Sequence, residues 1–184
     1  MPMKILDGDG LEKYIDVSGV GSLSSPYKPL HSTSIERNLE AGELFFHSGK
    51  HALANGATFK HLIVTPTDKR VQFIAWAIVA LDSPMEAYFY EAPLLTAYGT
   101  PTVGVNQNRN NMLAHTSLLY EEPTISDNGL KLGEMLMSGG KQMGTTLLSE
   151  TAWVLDFSTA YLINVKNVSG VATTITVSFH WIES

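Results

Sequence analysis

Two alternating runs near the end of the chain constrain its fold more than any other feature. Tyr161, Ile163 and Val165 alternate with Leu162, Asn164 and Lys166. After Asn167-Val168-Ser169-Gly170, Ile175, Val177, Phe179 and Trp181 alternate with Thr174, Thr176, Ser178 and His180. A period of two belongs to a strand that lays one face on a core and turns the other outward. The spacing predicts a β-hairpin over residues 159–183.

From Glu43 onward, short runs of the same kind recur between turn residues. They are Leu44 to Ser48, His61 to Thr65, Val71 to Leu81, Met85 to Glu91, Leu113 to Glu121, Leu130 to Met137 and Trp153 to Phe157, with Asn55-Gly56 and Asn128-Gly129 as turn signals. Helical signals are confined to a turn or two at Ser34 to Leu39 and, as a second reading, Leu130 to Met137. The pattern predicts an all-β chain, an antiparallel β-sandwich over residues 41–184. Residues 1–40, rich in Gly, Ser and Pro, read as an extended N-terminal arm. The arm's few apolar residues, Ile5, Leu11, Tyr14, Ile15 and Val17, suffice for one short strand and for no core.

One strand is apolar on both sides. Val71, Phe73, Ala75, Ala77 and Val79 share one face, and Ile74, Trp76 and Ile78 share the other. An antiparallel sandwich normally wets its outer face, so the second set requires a cover, either the arm or a neighbouring subunit. Ile74, Trp76 and Ile78 are therefore expected at a subunit contact. Two polar connections also stand out. Tyr98 to Asn111 holds Asn106, Asn108, Arg109 and Asn110, candidates for a contact loop or for a loop braced by its own amides; Ser138 to Thr146 holds three glycines.

Chemistry is hard to find. The chain has no cysteine, which removes disulfides, thiolate metal sites and cysteine nucleophiles. A net charge of −6 without a basic cluster argues against direct nucleic-acid binding, and the apolar run Phe73 to Leu81 is too short to span a bilayer. The start lacks the apolar segment of a signal peptide, so synthesis in a cytoplasm is expected. Gly140-Lys141 lacks the spacing of a phosphate loop, no GxSxG occurs, and Asp7-Gly8-Asp9-Gly10 does not continue as a calcium loop. Glu121-Glu122 reads as the end of a strand. His47 and His51 lie four apart, about 13 Å along an extended strand, which argues against a shared ion. No enzyme, cofactor or metal is expected from these residues.

Several of these segments, in this order, resemble structural proteins of tailed-bacteriophage virions. They are the Asp-Gly-Asp-Gly arm with Tyr14-Ile15-Asp16-Val17-Ser18-Gly19-Val20-Gly21-Ser22 and Pro26-Tyr27, the Val105 to Asn110 loop, Ser138-Gly139-Gly140-Lys141, and Tyr161 to Asn167 with the closing aromatic-Ile-Glu. The resemblance implies a non-enzymatic sandwich of the jelly-roll kind, a capsid decoration or cement protein or part of a head fibre, acting as a homotrimer in the virion. Its partners would be the major capsid protein or other virion proteins. Tyr14, Ile15, Val17 and Tyr27 of the arm become the expected attachment residues. Two other readings stand beside it: a tail-fibre or adaptor component, and a glycan-binding jelly roll using Tyr88, Tyr90, Tyr98 and Trp76.

Overall fold

The computed structural model describes residues 3–6, 12–15, 34–80, 83–111, 113–137, 143–146 and 153–184. The chain divides into two compact units, Met1–Thr33 and Ser34–Ser184. In the first, β1 (Met3–Leu6) and β2 (Glu12–Ile15) form an antiparallel ribbon with Met3 opposite Ile15.

The second unit is one nested series of antiparallel pairs. β3 (Leu44–Leu53) pairs with β16 (Thr173–Glu183), and β4 (Thr58–Val64) with β15 (Ala160–Asn167). β5 (Val71–Ala80) pairs with β13 (Met143–Thr146) and β14 (Trp153–Leu155), and β6 (Met85–Glu91) with β12 (Leu130–Met137). Further in, β7 (Leu94–Ala97) pairs with β11 (Thr124–Asp127), and β8 (Thr100–Thr102) with β10 (Leu118–Glu121). All these pairs are centred between residues 110 and 113, so the asparagine-rich loop is the tip of one long folded hairpin. Near the tip, β9 (Val105–Asn106) joins the edge of β3.

Wound up, this hairpin gives two sheets ordered β12-β6-β15-β4-β10-β8 and β13-β5-β16-β3-β9. Successive strands β3, β4, β5 and β6 alternate between the sheets, and so do β14, β15 and β16, which is the winding of a jelly roll. The apolar faces drive it. Phe59, Ile63, Tyr161, Ile163, Val165, Ile175, Val177, Phe179 and Trp181 all join one buried cluster between the sheets.

The closing hairpin needs correction. β15 and β16 keep the expected alternation but lie in opposite sheets, so the turn after Asn167 is an arch over the end of the sandwich. Two one-sided apolar strands bury more by facing each other than by lying side by side. Buried Asn167 fixes the arch, its Nδ2 donating to the carbonyls of Leu53, Ala54 and Val171.

The double-faced strand is corrected too. Trp181 pairs with Phe73 while His180 pairs with Ala75, a bulge that inserts one residue into β5. Beyond it the faces exchange, so Trp76 (4% exposed) and Ile78 (0%) enter the same core as Phe73. Ile74, 9% exposed, points the other way and is covered within the chain. Its cover is α1 (Ser34–Ala41), whose Ile35 and Leu39 pack on Leu44, Ile74 and Ile182. These three side chains retain almost no area for a subunit to cover.

A short repeat sets the inner pairs. Tyr90-Glu91-Ala92-Pro93 ends β6, and Tyr120-Glu121-Glu122-Pro123 ends β10. Ala92 and Glu122 both take φ of 52°, and both amides return to the neighbouring sheet strand, to Ala160 and Lys60 respectively. Each segment then reaches a left-handed glycine, Gly99 (φ 90°) or Gly129 (φ 82°), packed on the other segment's backbone. The two copies thus lock into one another about a local pseudo-dyad. The kink also makes Glu121 the last residue of its strand, beside His61 of β4.

Candidate functional site

The structure distributes the sequence-derived candidates over three places. Tyr14 and Ile15 lie in β2, whereas Val17 and Tyr27 lie outside the described residues, as do residues 138–142 of the glycine-rich loop.

The asparagine loop acts largely as a clamp on α1. A helix ends with unpaired carbonyls. Here Asn108 Nδ2 donates to Glu40 O at 3.1 Å, Asn111 Nδ2 to Ala41 O at 2.9 Å, and Asn106 Nδ2 to Gly42 O at 2.7 Å. The helix itself closes with Gly42 in the left-handed region, its amide bonding Leu39 O while the Glu43 amide bonds Asn38 O. Asn106 also accepts from the Asn108 amide, and Asn108 from that of Asn110. Asn106 is buried and Asn108 half-buried; Arg109 and Asn110 are exposed. Gln107 meanwhile bonds His180 on the outer face of β16 at 2.6 Å.

A buried carboxylate holds the return limb of the tip. Glu183 accepts from the amides of Thr116 and Ser117, the Thr116 hydroxyl and the Trp181 indole at 2.6–3.0 Å. Burial raises its pKa, but donation by Ser117, Thr116 and Trp181 outweighs burial and holds it below the usual value.

A further cluster lies outside those candidates. His47 and His51 on β3, His61 on β4 and Glu121 on β10 converge between the sheets. Ligand atoms of His47, His61 and Glu121 all lie within 4.8 Å of one another. Glu121 Oε1 is 3.7 Å from His47 Nε2 and 3.8 Å from His51 Nε2. Strand rise separates the backbones of His47 and His51, but their side chains converge. Gly49 lies between the two histidines on the inward face, and a Cβ there would stand 2.5 Å from His51 Nε2 and 3.3 Å from Glu121 Oε1. The missing side chain lets the imidazole lean back towards the carboxylate.

The nitrogens of this cluster are poorly partnered. His47 Nδ1 lies 3.0 Å from the carbonyl of Val103, so Nδ1 carries the proton and Nε2 presents a bare lone pair when the ring is neutral. Nε2 of His51 and Nε2 of His61 are buried without a hydrogen-bond partner among the described residues. Burial, then His47 and His51, push the pKa of His61 down to about 3. Burial lowers that of His51 too, against the pull of Glu121 and with a smaller contribution from His47. His115 is different: its Nε2 accepts from the Gly104 amide and its Nδ1 donates to Ser117 O. A sequence signal for the cluster existed in parity, because His47, Gly49 and His51 share the face of Phe45 and Leu53, and His61 shares that of Phe59 and Ile63.

No protein-family model and no curated protein matches the chain. Among solved structures, a chain from "Structure of infectious bursal disease virus Gx strain" is 9% identical, with a TM-score of 0.14. The match covers 76% of this chain and 41% of that one, and at this level it carries no argument.

Proposed function

We propose that the chain is a non-enzymatic structural protein of a tailed-bacteriophage virion, made in the host cytoplasm, that binds the capsid exterior as a homotrimeric decoration or cement protein. The observation that carries this reading is the apolar exposure along the β7–β11 ribbon and its flanks. Leu94 and Leu130 are each 63% exposed, and Tyr98, Leu118 and Val103 also stand more than half in water. Apolar side chains exposed in this number on neighbouring segments are the surface that a protein contact would cover. The jelly roll is compatible with such a role and with many others, so the fold alone decides nothing.

In this reading the major capsid protein receives the ribbon, and the segment around Tyr14, Ile15, Val17 and Tyr27 is a second attachment point. Three copies on one trimer multiply a weak grip through effective concentration. Sedimentation of the purified chain and co-purification with capsids test the proposal. A trimer that pellets with capsids supports it, and a monomer indifferent to capsids refutes it. Leu94→Ser with Leu130→Ser should lower capsid retention by about 10-fold or more, given about 1.5–3 kcal/mol for each buried leucine. Deleting residues 1–33 should also weaken attachment while leaving the sandwich folded. Extending the deletion to Ala41 should instead destabilise the fold, because it uncovers Leu44, Ile74 and Ile182.

A tail-fibre or adaptor location is separated from the capsid by immunogold labelling of the particle. The glycan reading loses Trp76 to the core but keeps half-exposed Tyr98, whose ring lies 5.1 Å from that of Tyr120. Hits on a glycan array together with indifference to capsids would replace the virion reading.

A further inference from the structure

We propose that His47, His61 and Glu121, with His51 as a fourth donor, form a binding site for one divalent transition-metal ion, Zn2+ by the chemistry of the donors, which ties the two sheets of the sandwich together. The site draws β3 from one sheet and the adjacent strands β4 and β10 from the other. A metal there would be a structural staple.

Three observations converge. The first is a meeting of acceptors that a cation would relieve. With the His47 ring neutral, its bare Nε2 lone pair faces Glu121 Oε1 at 3.7 Å, acceptor against acceptor, and ligand atoms of His47, His61 and Glu121 all lie within 4.8 Å of one another. Such an arrangement is repulsive unless something positive or proton-donating sits among the atoms. A proton on His47 serves Glu121 alone, and a water molecule supplies two protons. A divalent cation serves them all.

The second is the orphan nitrogen. His61 is 1% exposed and its Nε2 has no hydrogen-bond partner among the described residues. An unsatisfied buried polar atom is costly, and one on a side chain that offers a ligand atom to this group has an evident use. The third is orientation. Donation by His47 Nδ1 to Val103 O fixes the tautomer that leaves Nε2 free, the outer-shell arrangement typical of metal-bound histidine.

Imidazole and carboxylate donors suit Zn2+, and tetrahedral ligation at about 2.0–2.2 Å places ligand atoms about 3.4 Å apart. Closing the site from its present spacing takes movements of about 1 Å. Glu121, the most exposed of the four, is the side chain free to make them. Gly49 preserves the room in which His51 reaches the same carboxylate.

The test uses the full chain, stripped with a chelator, dialysed and titrated with ZnCl2. Metal retained after gel filtration and the thermal midpoint are both read. One Zn2+ per chain is expected, with a midpoint rise of about 5–10 °C at free metal about 100-fold above the dissociation constant. Co2+ in place of Zn2+ should give the visible absorption of a tetrahedral nitrogen–oxygen site. Glu121→Gln and His61→Gln should each weaken binding by about 100-fold, whereas His180→Gln, on the outer face, should not. If His61→Gln fails to fold, Glu121→Gln decides the matter. Wild type that retains no zinc, as a buried water would dictate, overturns the proposal, as does zinc held equally well by wild type and Glu121→Gln.

Discussion

Glu91 and Glu121 occupy matching positions in the two copies of the inner repeat, each the last residue of its strand before a left-handed kink, yet they meet opposite chemistry. Glu91 accepts from the Tyr161 hydroxyl at 2.7 Å, and that hydroxyl accepts from the Asp156 amide at 2.8 Å. Glu121 faces His47 and His51 at 3.7 and 3.8 Å, beyond hydrogen-bond distance, and Nε2 of neighbouring His61 has no partner among the described residues. The same backbone device therefore ends once in a closed polar network and once in an open one. A closed network is finished structure, and an open one leaves polar atoms unserved.

The largest effect expected bears on the symmetry itself. Gly99→Ala and Gly129→Ala each place a side chain at positive φ against the opposite segment's backbone, and each should cost on the order of 2–4 kcal/mol in denaturant unfolding. Equal costs support the pseudo-dyad; a large cost at only one glycine breaks it. Next comes the contrast between the glutamates. Tyr161→Phe removes the donor from Glu91 and the acceptor from Asp156, and should cost about 1–3 kcal/mol. His61→Leu removes an orphan nitrogen at similar size, so metal-free protein should gain about 1 kcal/mol. Loss of stability on that substitution would mean that the Glu121 end is closed as well.

The comparison extends to Glu183, a third carboxylate and a buried one, which has four donors. Its folded pKa lies below its unfolded value, so below that value the unfolded chain binds protons that the folded chain refuses. The stability this gives is full above about pH 4.5 and is lost as pH falls through the folded pKa. Glu183→Gln should flatten that part of a stability–pH profile, and an unchanged slope would assign acid sensitivity elsewhere. This is the smallest of the three effects.

The strands were legible because period-two alternation is a local property of the chain. Met85–Glu91 and Leu130–Met137 emerge with the bounds read from sequence, and β15 and β16 point the expected side chains inward. Which strand lies beside which was not legible. An arch and a hairpin use the same turn residues, and only packing across the interior places β15 and β16 in opposite sheets. The outer face assigned to Trp76 and Ile78 failed for a related reason. A bulge shifts parity by one residue, and nothing in an apolar run marks where it falls. The histidine cluster was half legible: parity brings His47, Gly49 and His51 to one face, but His61 and Glu121 join them only once two sheets close.

The map that bears most directly on the proposed function is an electron-microscopy reconstruction of virions carrying this protein. Trimeric density on the capsid exterior, with the Leu94 and Leu130 ribbon against the major capsid protein, is the expected result. Density confined to the tail, or capsids that leave the ribbon facing solvent, would contradict it.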